Sequence, residues 1–148
     1  MADVVSPEVR SRMMSGIRGK DTKPEWQVRR ALHARGFRYR LHARRLAGRP
    51  DLVLPRYRAV VFVHGCFWHG HDCRYFRLPA TRTAFWEGKI SRNRSNDARN
   101  RASLLEAGWR VAVVWECALR GSGCGADAVA DALAEWIRGE DAVLEIRG

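Results

Sequence analysis

Along the 148-residue chain the spacing of apolar and polar positions changes period several times, and each change marks an element. Residues 1–20 show little periodicity and are rich in Ser, Gly, Arg and Lys, which predicts a flexible basic arm; the paired Met13 and Met14 are unusual for a purely solvated tail. From Asp21 the stretch DTKPEWQVRRALHARG offers an Asp or Thr cap, Pro24 near the first turn, apolar Trp26 and Leu32, and Gly36 as a stop, so it predicts a helix. FRYRLH (37–42) alternates apolar with basic positions, the mark of a strand with one wet face. DLVL (51–54) reads as a short strand, and after the turn PRYR the β-branched run AVVFVH (59–64) suits a central strand. Residues 81–108 are long and very basic and predict a helix in two pieces. WRVAVVWEC (109–117) predicts a buried fourth strand, and after the loop RGSGCGAD the stretch AVADALAEWIRG predicts an amphipathic closing helix. Trp26, Trp109, Trp115 and Trp136 follow strand or helix faces and are assigned to the core. The order α-β-β-β-α-β-α, without repeats or an internal linker, predicts a single α/β domain over residues 21–148 behind the arm.

Composition supports a globular chain of this size: 46% hydrophobic and 29% charged residues are values of a protein with a core. No apolar run approaches the roughly 20 residues a membrane-spanning helix needs, and the N-terminus lacks the apolar centre of a signal peptide. A cytoplasmic protein with reduced cysteines is therefore expected. The charge changes the picture most. A formal net charge of +11 points to a polyanionic partner, with nucleic acid ahead of a membrane surface because no basic amphipathic helix stands out. The arginines of TRTAFWEGKISRNRSNDARNR are placed to contact phosphates, the competing reading being a merely solvated basic face.

Candidate chemistry concentrates in residues 63–73, VHGCFWHGHDC, where five possible metal ligands or proton carriers surround Phe67 and Trp68. Cys66-x4-His71-x-Cys73 is a tight set, and Cys117 lies at the end of the next strand, where it can reach a loop on the same sheet edge. Three thiolates and one imidazole make a standard tetrahedral zinc set; buried free thiols beside a surface histidine are the alternative. Cys124, in a Gly-rich loop, is read as a spectator. A zinc with four protein ligands has no open position, so it would brace the loop rather than catalyse. That leaves His64 and His69 for proton transfer near neutral pH.

GRPDLVL places Asp51 at the start of a strand next to the central one. Phosphodiester cleavage calls for a carboxylate-held Mg²⁺, and a Pro-Asp at this position is the layout of the PD-(D/E)xK nucleases. Glu25, on the first helix, is a second carboxylate that such a fold can bring close to Asp51.

Taken together, GRPDLVL, VFVHGCFWHGHDC, PATRTAFW and GWRVAVVWECALRG closely resemble the very short patch repair (Vsr) endonucleases, with the motifs in the same order from about Met1 to Trp136. The resemblance implies a restriction-endonuclease-like α/β core, a mixed central sheet flanked by helices with a structural zinc site. It implies a Mg²⁺-dependent nick in one strand of duplex DNA on the 5′ side of the thymine of a T·G mismatch, the product of 5-methylcytosine deamination. Carried over by position, Asp51 is the Mg²⁺ ligand together with the main-chain carbonyl of Val63, and Glu25 completes the acidic cluster through water. His69 transfers protons at the scissile phosphate with help from His64, and Cys66, His71, Cys73 and Cys117 hold Zn²⁺. Phe67, Trp68 and Trp86 are implied as wedges entering beside the mismatch from the major groove, with Met14 pressing from the minor groove. The D/E-x-K element of the wider superfamily falls near Phe62-Val63-His64, which contains neither acid nor lysine, a departure the Vsr proteins share. The family further suggests the mismatch-repair protein MutL as a partner and association with the nucleoid. A monomer is expected because a single-strand nick needs one active site. Two rivals remain: a mismatch-nicking endonuclease of relaxed specificity, and a non-catalytic zinc-stabilised DNA-binding protein.

Overall fold

The computed structural model describes residues 22–41, 43–73, 76–120 and 125–148. The basic arm, with Met13 and Met14, and Cys124 lie outside the described residues. Helix α1 (Lys23–Ala34) starts where the sequence calls for it: the Thr22 hydroxyl accepts the Glu25 amide at 3.5 Å, and Pro24 occupies the first turn. It ends at Gly36, whose φ of +89° lets the amides of Gly36 and Phe37 fold back onto the carbonyls of His33 and Leu32.

The sheet has five strands in spatial order β1 (Arg40–Leu41), β2 (Leu52–Leu54), β3 (Ala59–His64), β4 (Arg110–Trp115), β5 (Val143–Ile146). β1–β2 and β2–β3 pair antiparallel, whereas β3–β4 and β4–β5 pair parallel. The first crossover is helix α2 (Thr83–Glu106); the second runs through the short α3 (Glu116–Leu119) and α4 (Ala126–Arg138). All six β3 residues are buried, as a continuous apolar run at the centre of a sheet requires. Alternation along the strands separates two cores. Val61, Val63, Ala112 and Val114 pack with Val28 and Leu32 of α1 and Leu133 and Ile137 of α4. Val60, Phe62, Val111 and Val113 pack with Leu104 of α2 on the other face.

The mixed α/β architecture matches the reading of the hydrophobic pattern, with several differences of detail. The predicted strand 37–42 shortens to Arg40–Leu41, because Phe37 is drawn into the core as part of the turn that ends α1. Residues 81–108 form one 24-residue helix rather than two, since nothing in its basic middle breaks the backbone ladder; it ends at Gly108 by the same left-handed turn as α1. β5 was not anticipated: it is a four-residue edge strand with alternating exposed and half-buried positions, too short and too wet to stand out. Trp26 is 51% exposed and stacks against the Arg29 guanidinium instead of entering the core, while Trp115 and Trp136 are buried as expected.

Candidate active site and metal cluster

Asp51 stands immediately before β2, where antiparallel pairing with β3 brings it beside Val63. Its Oδ2 accepts the Val63 amide at 2.6 Å, which fixes the carboxyl against the strand. Glu25 reaches the same spot from α1, itself buried and paired with Arg29 at 3.0 Å. Burial, reinforced by the charge and hydrogen bond of Glu25, pushes Asp51 up to about 7, against the opposing pull of the Val63 amide and Arg29. Two acidic groups crowded in a desolvated corner form a place where a divalent cation would relieve the strain, and hard oxygen donors suit Mg²⁺. The residues therefore fit the ion expected from the sequence.

Next to Val63, alternation turns His64 towards the α2 face, where its ring stacks on His69 with centroids 3.8 Å apart and planes 5° from parallel. Burial, then the nearby His69 and Arg101, hold His64 well below the usual histidine range, so it is neutral. His69 Nδ1 is 2.5 Å from Oδ2 of Asp97 on α2. In a neutral His69 this contact places the proton on Nδ1 and leaves Nε2 as the accepting atom. Glu25, Asp51, Val63, His64, His69 and Asp97 all line one cleft of about 950 Å³. Sequence reasoning missed Asp97. It is one acid in a basic 24-residue helix, 28 residues from its partner, and only the long-range pairing reveals it.

Behind this cleft, Cys66, His71, Cys73 and Cys117 offer ligand atoms that all lie within 4.8 Å of one another. The predicted strand 109–117 stops at Trp115, and Cys117, expected at its end, lies two residues further on in the short helix α3. Its amide donates to Cys66 Sγ at 3.3 Å, its own Sγ accepts the Gly148 amide at 3.3 Å, and Sγ of Cys117 lies 3.5 Å from His71 Nδ1. Burial pushes the Cys66 thiol up, with the Cys73 and Cys117 sulfurs adding to it, while burial and then Arg147 pull His71 down towards its neutral form. Three sulfurs and an imidazole this close make one compact donor set, and amides already point at two of the sulfurs. That donor set fits zinc.

Phe67, Trp68 and Trp86 form a partly exposed aromatic cluster with centroid separations of 5.0–5.7 Å. Asn93 of α2 donates to the Trp68 carbonyl at 2.8 Å, tying the loop that carries Phe67 and Trp68 to the helix that carries Trp86. Phe85, 44% exposed, extends the cluster with Arg82 over its ring at 4.4 Å.

The comparison with known proteins decides the family. Residues 2–75 match the family model described as DNA mismatch endonuclease Vsr. The chain is 47% identical over 147 residues to the DNA mismatch endonuclease Vsr of Escherichia coli K12, covering 99% of this chain and 94% of that protein. The chain belongs to the Vsr DNA mismatch endonuclease family. It is also 53% identical over 119 residues to the type II nicking enzyme V.XorIIP of Xanthomonas oryzae pv. oryzae, covering 80% of this chain and 88% of that one. A third relative, the type II nicking enzyme V.NmeAIP of Neisseria meningitidis, is 46% identical over 120 residues, 81% of this chain and 86% of its own. The part matched by the Vsr model contains Glu25, Asp51, His64, His69 and three of the four clustered metal-type ligands, and the alignment to the E. coli Vsr protein extends the likeness through Trp86, Asp97 and Cys117. Met14 lies within the matched Vsr stretch but outside the described residues. No described helix is long and apolar enough to cross a membrane.

Proposed function

We propose that this protein is a restriction-endonuclease-like DNA mismatch endonuclease that nicks one strand on the 5′ side of the thymine in a T·G mismatch and depends on Mg²⁺. The observation that carries the reading is that a carboxylate pair, buried Glu25 beside partly buried Asp51, and a stacked histidine pair open into one cleft, in a chain belonging to the Vsr family. Asp51 and the Val63 carbonyl would hold the ion, with Glu25 acting through water. Bound there, Mg²⁺ would polarise the scissile phosphate and ease deprotonation of the attacking water. His69, oriented by Asp97, moves the proton at the phosphate through Nε2, and neutral His64 supports its ring from beneath. The Cys66, His71, Cys73 and Cys117 set holds structural Zn²⁺ and braces the loop that presents His69, Phe67 and Trp68.

Phe67, Trp68 and Trp86 act as the wedge: a mismatched step is weakly stacked, so inserting rings there costs less than in paired duplex. Met14 supports them from the arm, residues 1–20, while 21–148 act as one endonuclease domain. The basic residues of α2, among them Lys89, Arg94 and Arg101 on the cleft wall, grip the phosphates. A monomer suffices for one nick, and the DNA substrate places the protein in the cytoplasm on nucleoid DNA, with MutL as a further partner. The test is a nicking assay with Mg²⁺ on strand-labelled duplexes carrying T·G, other mismatches or none. A cut confined to the T strand of T·G supports the reading; equal cutting of all mismatches supports the relaxed-specificity reading instead.

A further inference from the structure

Trp115 ends β4 directly opposite His64, its partner in the β3–β4 register. Its buried ring lies face to face with His71 of the sulfur cluster, centroids 4.0 Å apart and planes 6° from parallel. The same ring presents an edge to His64 at 5.2 Å and 71°, and to His69 at 6.2 Å and 74°. His64 in turn stacks on His69, which is held by Asp97. A continuous series of ring contacts thus runs from the metal-type cluster to the proton-transfer pair, and Trp115 is the side chain common to both ends.

We propose that Trp115 is a positioning residue: it fixes the ring planes of His64 and His69, and it makes their alignment depend on an intact Cys66–His71–Cys73–Cys117 cluster. This rests on the assignment of proton transfer to His69. Each ring contact is worth little by itself, but parallel and edge-on rings restrict the orientations open to a neighbour far more than aliphatic packing does. A proton-transfer group that loses its alignment reacts more slowly without any loss of substrate grip. The indole ring contacts the imidazoles of His64, His69 and His71, so it acts on rate through the histidines.

The test uses the full-length protein with its zinc content measured. Trp115→Leu removes the ring, Trp115→Phe keeps a smaller one, and His71→Cys keeps four metal ligands while removing the stacked imidazole. Nicking of a T·G duplex is followed under single turnover and steady state, and the contact between the His64 and His69 rings is read by proton NMR. The expected result is at least a tenfold fall in kcat with KM near that of the wild type for Trp115→Leu, loss of the His64–His69 ring contact, and substantial recovery of both in Trp115→Phe. His71→Cys should lower kcat at full zinc loading. Wild-type kcat in zinc-loaded Trp115→Leu, or an unchanged ring contact, overturns the proposal. If Trp115→Leu does not fold, an unaltered kcat in zinc-loaded His71→Cys overturns it. A wild-type protein that never nicks refutes the underlying function instead.

Discussion

At the scale of single residues, the site is a set of groups each placed where its isolated chemistry would not put it. Asp51 is the clearest case. Its carboxyl, raised to about 7, is held there mainly by burial and by Glu25. Because the folded value exceeds the unfolded one, its contribution to stability is complete below about pH 4 and is lost as pH rises through about 7. An ion bound at Asp51 must displace that proton. Mg²⁺ should therefore raise the unfolding temperature little at about pH 5.5 and clearly at about pH 8, which calorimetry across that range would read; a pH-independent Mg²⁺ effect would argue against Asp51 as the ligand. For His69→Ala the expected loss of nicking rate is about 10²–10⁴-fold, with Asp97→Asn losing less and both keeping DNA affinity in a gel-shift titration. Rates unaffected by either change would remove the pair from the mechanism. Much of this was legible in the chain. The spacing Cys66-x4-His71-x-Cys73 and the strand-end position of Cys117 already suggested one cluster, and Pro50-Asp51 before a strand suggested the acid. Asp97 was not, because an acid among arginines on a long helix gives no local sign of a partner 28 residues away.

At the scale of elements, the loop between β3 and α2 is the working part, and its fit against α2 is unforgiving. Gly70 has φ +60°, and a Cβ there would come within 2.5 Å of Ile90 Cγ2. Gly70→Ala should cost about 1–3 kcal/mol by urea denaturation, since neither the backbone nor the buried Ile90 can yield cheaply; an unchanged midpoint would mean that the loop adapts. Trp68→Ala should leave folding and zinc content intact and weaken binding to mismatched duplex selectively over paired duplex, as measured by fluorescence anisotropy. Equal affinities before and after would sink the wedge. Helix α1 announced itself by its cap and stop, Thr22 and Gly36, because those signals are local. β5 and the short β1 did not, because an edge strand of two to four residues owes its existence to its neighbour and carries little pattern of its own. Trp26 misled for a related reason. Helical spacing marks a face, and a large ring lying beside an arginine can stay on the wet side of it.

At the scale of the whole molecule, a mixed sheet with a core on each face carries the carboxylate pair, the histidine pair and the sulfur cluster to the end of β3 and β4. The net charge of +11 predicts affinity for duplex DNA that falls steeply with salt, a linear log–log dependence whose slope counts the phosphates neutralised. The central claim is that the Asp51 corner and the histidine pair cut DNA together at a mismatch. Its most direct test is single-turnover nicking of a T·G duplex in Mg²⁺ by the wild-type protein and by Asp51→Asn, with binding measured on the same samples. The account predicts one cut in the T strand by the wild type, and a variant that binds equally well but does not cut. A variant cutting at the wild-type rate, or a wild-type protein that binds without cutting, would contradict it.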